Sequence, residues 1–170
     1  TATGHKAPIL TSGLGAREFC ALVALLSSLV VDYCARQKSI AMTFFVVEQI
    51  AVPPPERLRP CVGWLGATAI DWLADRVFEL SYTNFELAAM ATDLDRNHPP
   101  FLWRSDRRAR LQAEIDALAL HLYALSREQA EWLIDSFGVL QKYEQRDYGE
   151  FRTKTLVLEI FDEMSNARRD

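Results

Sequence analysis

Few residue patterns in this chain could carry chemistry. Asn97-His98-Pro99-Pro100-Phe101 puts a polar side chain, two prolines and an aromatic ring into one short loop. Loops of that kind can hold the amino group of an extruded base while the ring stacks on it. Here His98 separates Asn97 from the prolines, and no strand pattern precedes the loop. No Gly-x-Gly turn follows a strand pattern either, so the chain offers no place for S-adenosylmethionine. The loop is expected to be a rigid proline turn.

His5, His98 and His121 are too scattered for metal spacing, and Cys20, Cys34 and Cys61 form no Cys-x-x-Cys or Cys/His set. On one continuous helix Cys20 and Cys34 would lie about 21 Å apart, beyond disulfide reach. All three are expected to be reduced core thiols of a cytoplasmic protein. Asp71 and Asp75 share a helix face at a four-residue step, as many solvated carboxylates do, and no serine sits in a nucleophile-elbow setting. Neither catalysis nor a bound metal or cofactor is expected of this chain by itself.

Basic residues are the remaining candidates. The formal net charge of -4 does not suit a free-standing nucleic-acid binder, so any DNA contact must come from local patches. Residues 1–60 carry six Lys/Arg against four Asp/Glu, and the rest carries thirteen against nineteen. Arg104, Arg107, Arg108 and Arg110 cluster beside Trp103 where a helix should begin. Cations there oppose the helix dipole, so helix stability does not account for them; phosphate binding would. The competing account is a solvated face paired with Asp106 and Glu114. Arg36 and Lys38 either cap a helix C-terminus or contact phosphate, and Arg152 and Lys154 pose the same choice. Thr43, Phe44, Phe45, Tyr148 and Phe151 stand nearby as possible stacking or packing groups.

The elements that must position these groups are helical. Phe19, Leu22, Val23, Leu26, Leu29, Val30 and Tyr33 recur at three- and four-residue steps, predicting one buried helix over 16–37. Thr43–Val52 is rich in β-branched and aromatic residues and is expected to be a short strand or a single helical turn, with extended structure the favoured of the two. Pro53-Pro-Pro55 then marks a boundary near residue 60. Helices are predicted from Ile70 to about Leu80, from a capping box at Thr83-Asn-Phe-Glu86 to Leu94, and from Ser105 or Asp106 through Leu125. Ser126-Arg-Glu-Gln129 should cap a helix that Gly138 stops, followed by a polar connector and a last helix from Phe151 to Met164. The longest uncharged run, Phe19 to Val31, is thirteen residues, too short to span a bilayer. The expected fold is mainly α: a multi-helix bundle with a small irregular or short-strand N-terminal segment, divided into residues 1–60 and 61–170. The start at Thr1 fits processing, tag removal or a piece of a longer protein.

Several blocks together resemble the C-terminal region of large adenine-specific DNA methyltransferases of restriction-modification and phage-defence systems. They are Leu111-Gln-Ala-Glu-Ile-Asp-Ala-Leu118, His121-Leu-Tyr-Ala-Leu-Ser-Arg127, Trp132-Leu-Ile-Asp-Ser-Phe137, Tyr148-Gly-Glu-Phe-Arg-Thr-Lys154 and Leu158-Glu-Ile-Phe-Asp-Glu-Met164. Upstream, Asp32-Tyr-Cys-Ala-Arg-Gln-Lys38, Phe44 to Pro55, Phe78-Glu-Leu-Ser-Tyr-Thr83 and Pro99-Pro-Phe-Leu-Trp103 resemble the preceding segments in the same order. The resemblance implies a non-catalytic fragment that grips DNA beside a catalytic domain outside this sequence, with S-adenosylmethionine bound in that domain. It implies that Arg36, Lys38 and the turn from Thr43 to Phe45 face DNA, and that Arg152 and Lys154 clamp DNA or brace a partner domain. A helical module that docks another protein subunit without touching DNA is the alternative.

Overall fold

The helix at Ser105–Leu122 sits at the centre of the structure, and the other elements are arranged around it. The computed structural model describes residues 12–38 and 43–169. In chain order these form α1 (Ala16–Leu26), α2 (Leu29–Lys38), α3 (Phe44–Val47), α4 (Pro55–Leu58), β1 (Cys61–Val62), β2 (Ala67–Thr68), α5 (Ala69–Ser81), α6 (Ala88–Asp93), α7 (Ser105–Leu122), α8 (Arg127–Asp135), α9 (Gly138–Tyr148) and α10 (Arg152–Ala167). Single 3-10 turns lie at Gly63–Leu65 and Phe85–Leu87. The mainly α expectation holds. The described strands form one short antiparallel pair, with Cys61 opposite Thr68 and Val62 opposite Ala67, and they follow the proline segment rather than preceding it.

From Leu111 to Leu120 α7 buries nearly every residue, because α10, α5, α2 and α1 all pack on it. One cluster of buried side chains runs from Cys20 on α1 to Met164 on α10, so the core is continuous across residue 60. Leu73, Ile115, Leu118, Ile134 and Val157 are its enclosed centre. A smaller apolar group of Val31, Ala35 and Ile50 closes the space under α2. Among the described residues no single helix is long and apolar enough to cross a membrane.

The structure corrects several expected elements. The predicted helix over 16–37 is two helices bent by 61° at Ser27–Ser28. Both serines turn their hydroxyls back onto the chain, Ser27 Oγ donating to Ala24 O at 2.9 Å and Ser28 Oγ to Leu25 O at 2.7 Å. Such back-bonding bends helices. Thr43–Val52 contains a helical turn instead of extended chain: Val46 and Val47 both donate to Thr43 O at 3.0 Å. No strand among the described residues lies beside this segment to pair with it, and a local turn satisfies these amides where extension would leave them open.

The polar connector after Gly138 is the eleven-residue helix α9, which has no buried residue. Periodicity cannot reveal a helix that buries no face. Gly149 ends it in a left-handed conformation, φ 77°, with its N–H donating to Gln145 O at 3.1 Å. Asn84, not Thr83, caps the turn before α6, its side chain accepting from Glu86 N–H at 3.0 Å. Neither Ser105 nor Asp106 caps α7; Arg104 occupies that position with no side-chain cap. The Ser126–Gln129 capping box is present in full. Of the cysteines, Cys20 is buried, Cys34 partly so, and Cys61 is exposed, which removes Cys61 from the expected core set.

The bend between α1 and α2 depends on a carboxylate far away in sequence. Asp116, on α7 and 2% exposed, accepts the Leu29 N–H at 2.8 Å and so caps α2. The Gln112 side chain lies nearby, donating to Ser27 O at 3.4 Å, and Asp32 is the nearby like charge. Burial pushes the Asp116 carboxyl up from its ordinary 3.8 to about 7. From about pH 4 to 7 the folded chain therefore keeps a proton that the unfolded chain has shed. Stability contributed by this group falls as pH rises through that window, by a total on the order of 4 kcal/mol, and is level above it. Asp116→Asn retains an oxygen for Leu29 N–H and should flatten this slope in urea unfolding measured between pH 4 and 8. An unchanged slope would place the proton elsewhere.

Candidate functional site

The structure separates the basic residues into those held in ion pairs and those left open. Arg107, on the first turn of α7, forms a two-point pair with Glu79 of α5, both contacts at 2.8 Å. The hydrogen bond from Arg107 holds the Glu79 carboxyl below its ordinary range, and the same bond raises Arg107. Arg110 reaches Glu114 at 3.2 Å and Glu163 at 3.8 Å. Arg36 pairs with Asp32 one turn earlier at 2.6 Å, and its guanidinium lies 4.8 Å from the Phe137 ring centroid, linking α2 to the end of α8.

Arg152 and Lys154 are braces inside the chain. Arg152 donates to Asp106 at 2.8 Å, joining the start of α10 to the start of α7. Lys154 is held by Asp135 at 2.8 Å and Glu131 at 2.9 Å, both on α8, and these bonds raise its pKa, Asp135 contributing most. Thr153 between them donates its N–H and hydroxyl to Glu144 of α9 at 2.8 and 2.6 Å. The Tyr148–Lys154 string thus ties α9, α8 and α7 to one helix start. That role accounts for Arg152, Thr153 and Lys154 through folding alone.

The α7 N-terminus is more open. Arg104 is exposed and its side chain makes no hydrogen bond or ion pair among the described residues. Its carbonyl accepts Arg108 N–H at 3.0 Å, while the first amides of α7 have no side-chain cap. Trp103, 67% exposed, carries the Arg108 guanidinium 3.7 Å from its ring centroid, and Arg108 also donates to Leu80 O at 2.7 Å. Leu102 is 80% exposed beside it. An uncapped helix N-terminus, a free guanidinium and an indole that presents an accessible surface can hold an anion attached to a planar group.

The other candidates fall elsewhere. Lys38 ends α2 and reaches Gln49 Oε1 at 3.4 Å. Thr43 is exposed at the start of α3, where Phe44 is the first helical residue; the Phe44 side chain lies outside the described part, as do residues 39–42 and His5. No bond or ion pair among the described residues joins the Arg36–Lys38 group to the α7 N-terminus, whereas Asp106 brings Arg152 directly to it.

The proline loop is irregular chain and not the expected turn, and it is held to the end of α5 instead. Phe101 N–H donates to Tyr82 O at 2.8 Å and its ring packs edge-on against Phe78, 5.3 Å away. His98 stacks on Phe101 and Nδ1 contacts Pro99 O. Asp71 is occupied by Arg17 at 2.9 Å and by Thr68 Oγ1 at 2.8 Å, and Asp75 by Arg96. Among the described residues no three His, Cys, Asp or Glu side chains are placed to hold a metal ion. Sequence reading passed over Arg57, Trp64 and Arg168, which line a cavity with His121; no spacing rule unites residues so far apart.

The pairing makes a stability prediction. Arg107→Ala removes a two-point, part-exposed pair and should cost about 0.5–1 kcal/mol after solvent screening. Arg104→Ala should leave the urea midpoint unchanged, and a loss there equal to that of Arg107→Ala would show that Arg104 is held by the fold. Comparison with protein-family models, curated proteins and solved structures finds no match to this chain.

Proposed function

We propose that this chain is the non-catalytic C-terminal DNA-recognition and accessory part of an adenine-specific, S-adenosylmethionine-dependent DNA methyltransferase of a restriction-modification or phage-defence system. The ordered blocks that resemble such enzymes support this reading. They include the α7 sequence, the capped start of α8 and the α9–α10 junction. The observation that carries the DNA contact is the open N-terminal turn of α7, with Arg104 and the Trp103–Arg108 pair beside it. Phosphate is the anion such a turn suits, and the exposed indole suits a base or sugar next to it.

Arg36, Lys38 and the Thr43–Phe44 turn form a second, weaker contact in this proposal, since Arg36 is already neutralised by Asp32. Arg152 and Lys154 act as braces that fix α7, α8 and α9 relative to one another. The parent's catalytic domain holds S-adenosylmethionine and supplies most of the phosphate neutralisation, which reconciles DNA binding with the acidic total.

A second reading is favoured by the internal pairing itself. Arg36, Arg107, Arg152 and Lys154 all meet carboxylates within the chain, which is what a helical module docking a protein subunit would show. Fluorescence anisotropy of duplex DNA against salt separates the two. Arg104→Ala and Arg108→Ala should each reduce the slope of log affinity against log salt by roughly one unit. Trp103→Ala should weaken binding with little change in slope. Absence of salt-dependent DNA binding by both this chain and the full-length protein sinks the DNA reading and leaves the docking module.

A further inference from the structure

The segment from Pro53 to Leu65, α5, α7 and the C-terminal end of α10 line a half-open cavity of about 220 Å³. Its lining includes Pro53, Arg57, Trp64, Leu118, His121 and Arg168. The wall is apolar and aromatic. His121 stacks flat on Phe161, ring centroids 4.1 Å apart and planes 5° apart, and meets Trp64 at 5.7 Å. Its Nε2 lies 3.1 Å from Phe161 O, which assigns the proton to Nε2 and leaves Nδ1 as an acceptor. Burial lowers the His121 pKa, keeping the ring neutral at neutral pH.

The rim is cationic. Arg57 and Arg168 are both exposed, and neither side chain has a hydrogen-bond or ion-pair partner among the described residues. Most arginines elsewhere are spent: Arg59, two positions on from Arg57, pairs with Glu18 at 2.8 Å. A purely apolar ligand would leave both guanidiniums unused, and a bare anion would leave the aromatic wall unused. The combination selects a planar ring that carries a phosphate at its edge, because guanidinium matches phosphate geometry and an aromatic wall accepts any base face. The volume lies below the roughly 300–1,000 Å³ of full small-molecule sites, so it suits one base with one phosphate.

We propose that this cavity binds a nucleoside monophosphate, with the ring packed against Trp64 and the His121 edge beside it and the phosphate between Arg57 and Arg168. The ligand is a free nucleotide or one nucleotide of a single strand. The site shares no residue with the α7 N-terminus, so it stands or falls apart from the DNA contact proposed there.

Calorimetric titration of the whole chain with each of the four deoxynucleoside monophosphates tests it, with the matching nucleosides and inorganic phosphate as controls. At least one monophosphate should bind saturably, and the nucleoside and phosphate at least tenfold more weakly. The double variant Arg57→Gln/Arg168→Gln should lose at least tenfold in affinity with an unchanged melting temperature, since both side chains are exposed and unpaired. A short single strand that competes with the monophosphate, and is weakened by the same double variant, identifies a strand nucleotide as the occupant. A strand that does not compete identifies a free one. Equal affinity for inorganic phosphate, unchanged binding in the double variant, or no saturable binding by any monophosphate or strand overturns the proposal. None of these results alters the salt slope expected for Arg104→Ala.

Discussion

Two carboxylates on one enclosed helix constrain the arrangement of everything around them. α7 is covered by other helices along most of its length, yet it carries Glu114 and Asp116, which are 8% and 2% exposed. A buried acid without partners costs several kcal/mol, so each must be met by a group from an element packed against it. Arg76 of α5 reaches Glu114 at 2.9 Å while lying 3.2 Å over the Trp72 ring, and Arg110 adds a second contact at 3.2 Å. Leu29 N–H meets Asp116. These bonds set where α5 and the start of α2 lie. α1 then follows, because it packs on α5 and is joined to α2 through the Ser27–Ser28 bend. No buried side-chain polar atom among the described residues lacks a partner.

The C-terminal half is held differently. α10 lays Val157, Leu158, Ile160, Phe161 and Met164 into the core, and its polar side carries the contacts that orient α8 and α9. Arg127 at the start of α8 reaches Asp162 of α10 and Glu131 of its own helix. Lys154, in the first turn of α10, returns to the other end of α8. Because both ends of α8 are tied to α10, their relative angle is determined by charge as well as by packing. α9 contributes little to the core and is fixed through Glu144 and the Gly149 stop.

Apolar periodicity and caps made the buried helices legible. Leu111, Ile115 and Leu118 on α7, and Ala130, Leu133 and Ile134 behind the Ser126 capping box, fall where their spacing puts them. Elements governed by anything other than a buried stripe were not legible. α9 buries no residue and leaves no periodic trace. The helix that starts after the break at Ser27–Ser28 is capped at Leu29 by a carboxylate 87 residues further on, and the turn at Phe44–Val47 has no strand partner among the described residues. The same limit applies to the candidate site. Arg104, Arg107 and Arg108 are neighbours in sequence and chemically alike, but Glu79, 28 residues upstream of Arg107, neutralises one of them and leaves Arg104 open. A run of cations records how much positive charge is present, and only the fold decides which part of it faces outward.

That distinction bears on how an acidic chain can meet an anion. With a net charge of -4 the molecule has no long-range attraction for phosphate, so a general basic surface cannot account for binding. Internal pairing reduces the field further by removing Arg36, Arg107, Arg152 and Lys154 from the outward-facing set. What remains among the described residues is short-ranged and local: scattered single cations such as Lys38, Lys142 and Arg169, the uncapped turn of α7 with Arg104, and the cavity rim with Arg57 and Arg168. The last two places each also hold an indole: Trp103, adjacent in sequence to Arg104 and covered on one face by Arg108, and Trp64, which lines the cavity with Arg57 and Arg168. Charge alone at either place would be screened within about 10 Å at moderate salt. An adjoining aromatic face adds an attraction that salt does not screen, and it requires the anion to carry a planar group. Nucleotides have both parts, which is why the charge arrangement of this chain favours a few anchored nucleotide contacts over a broad electrostatic grip.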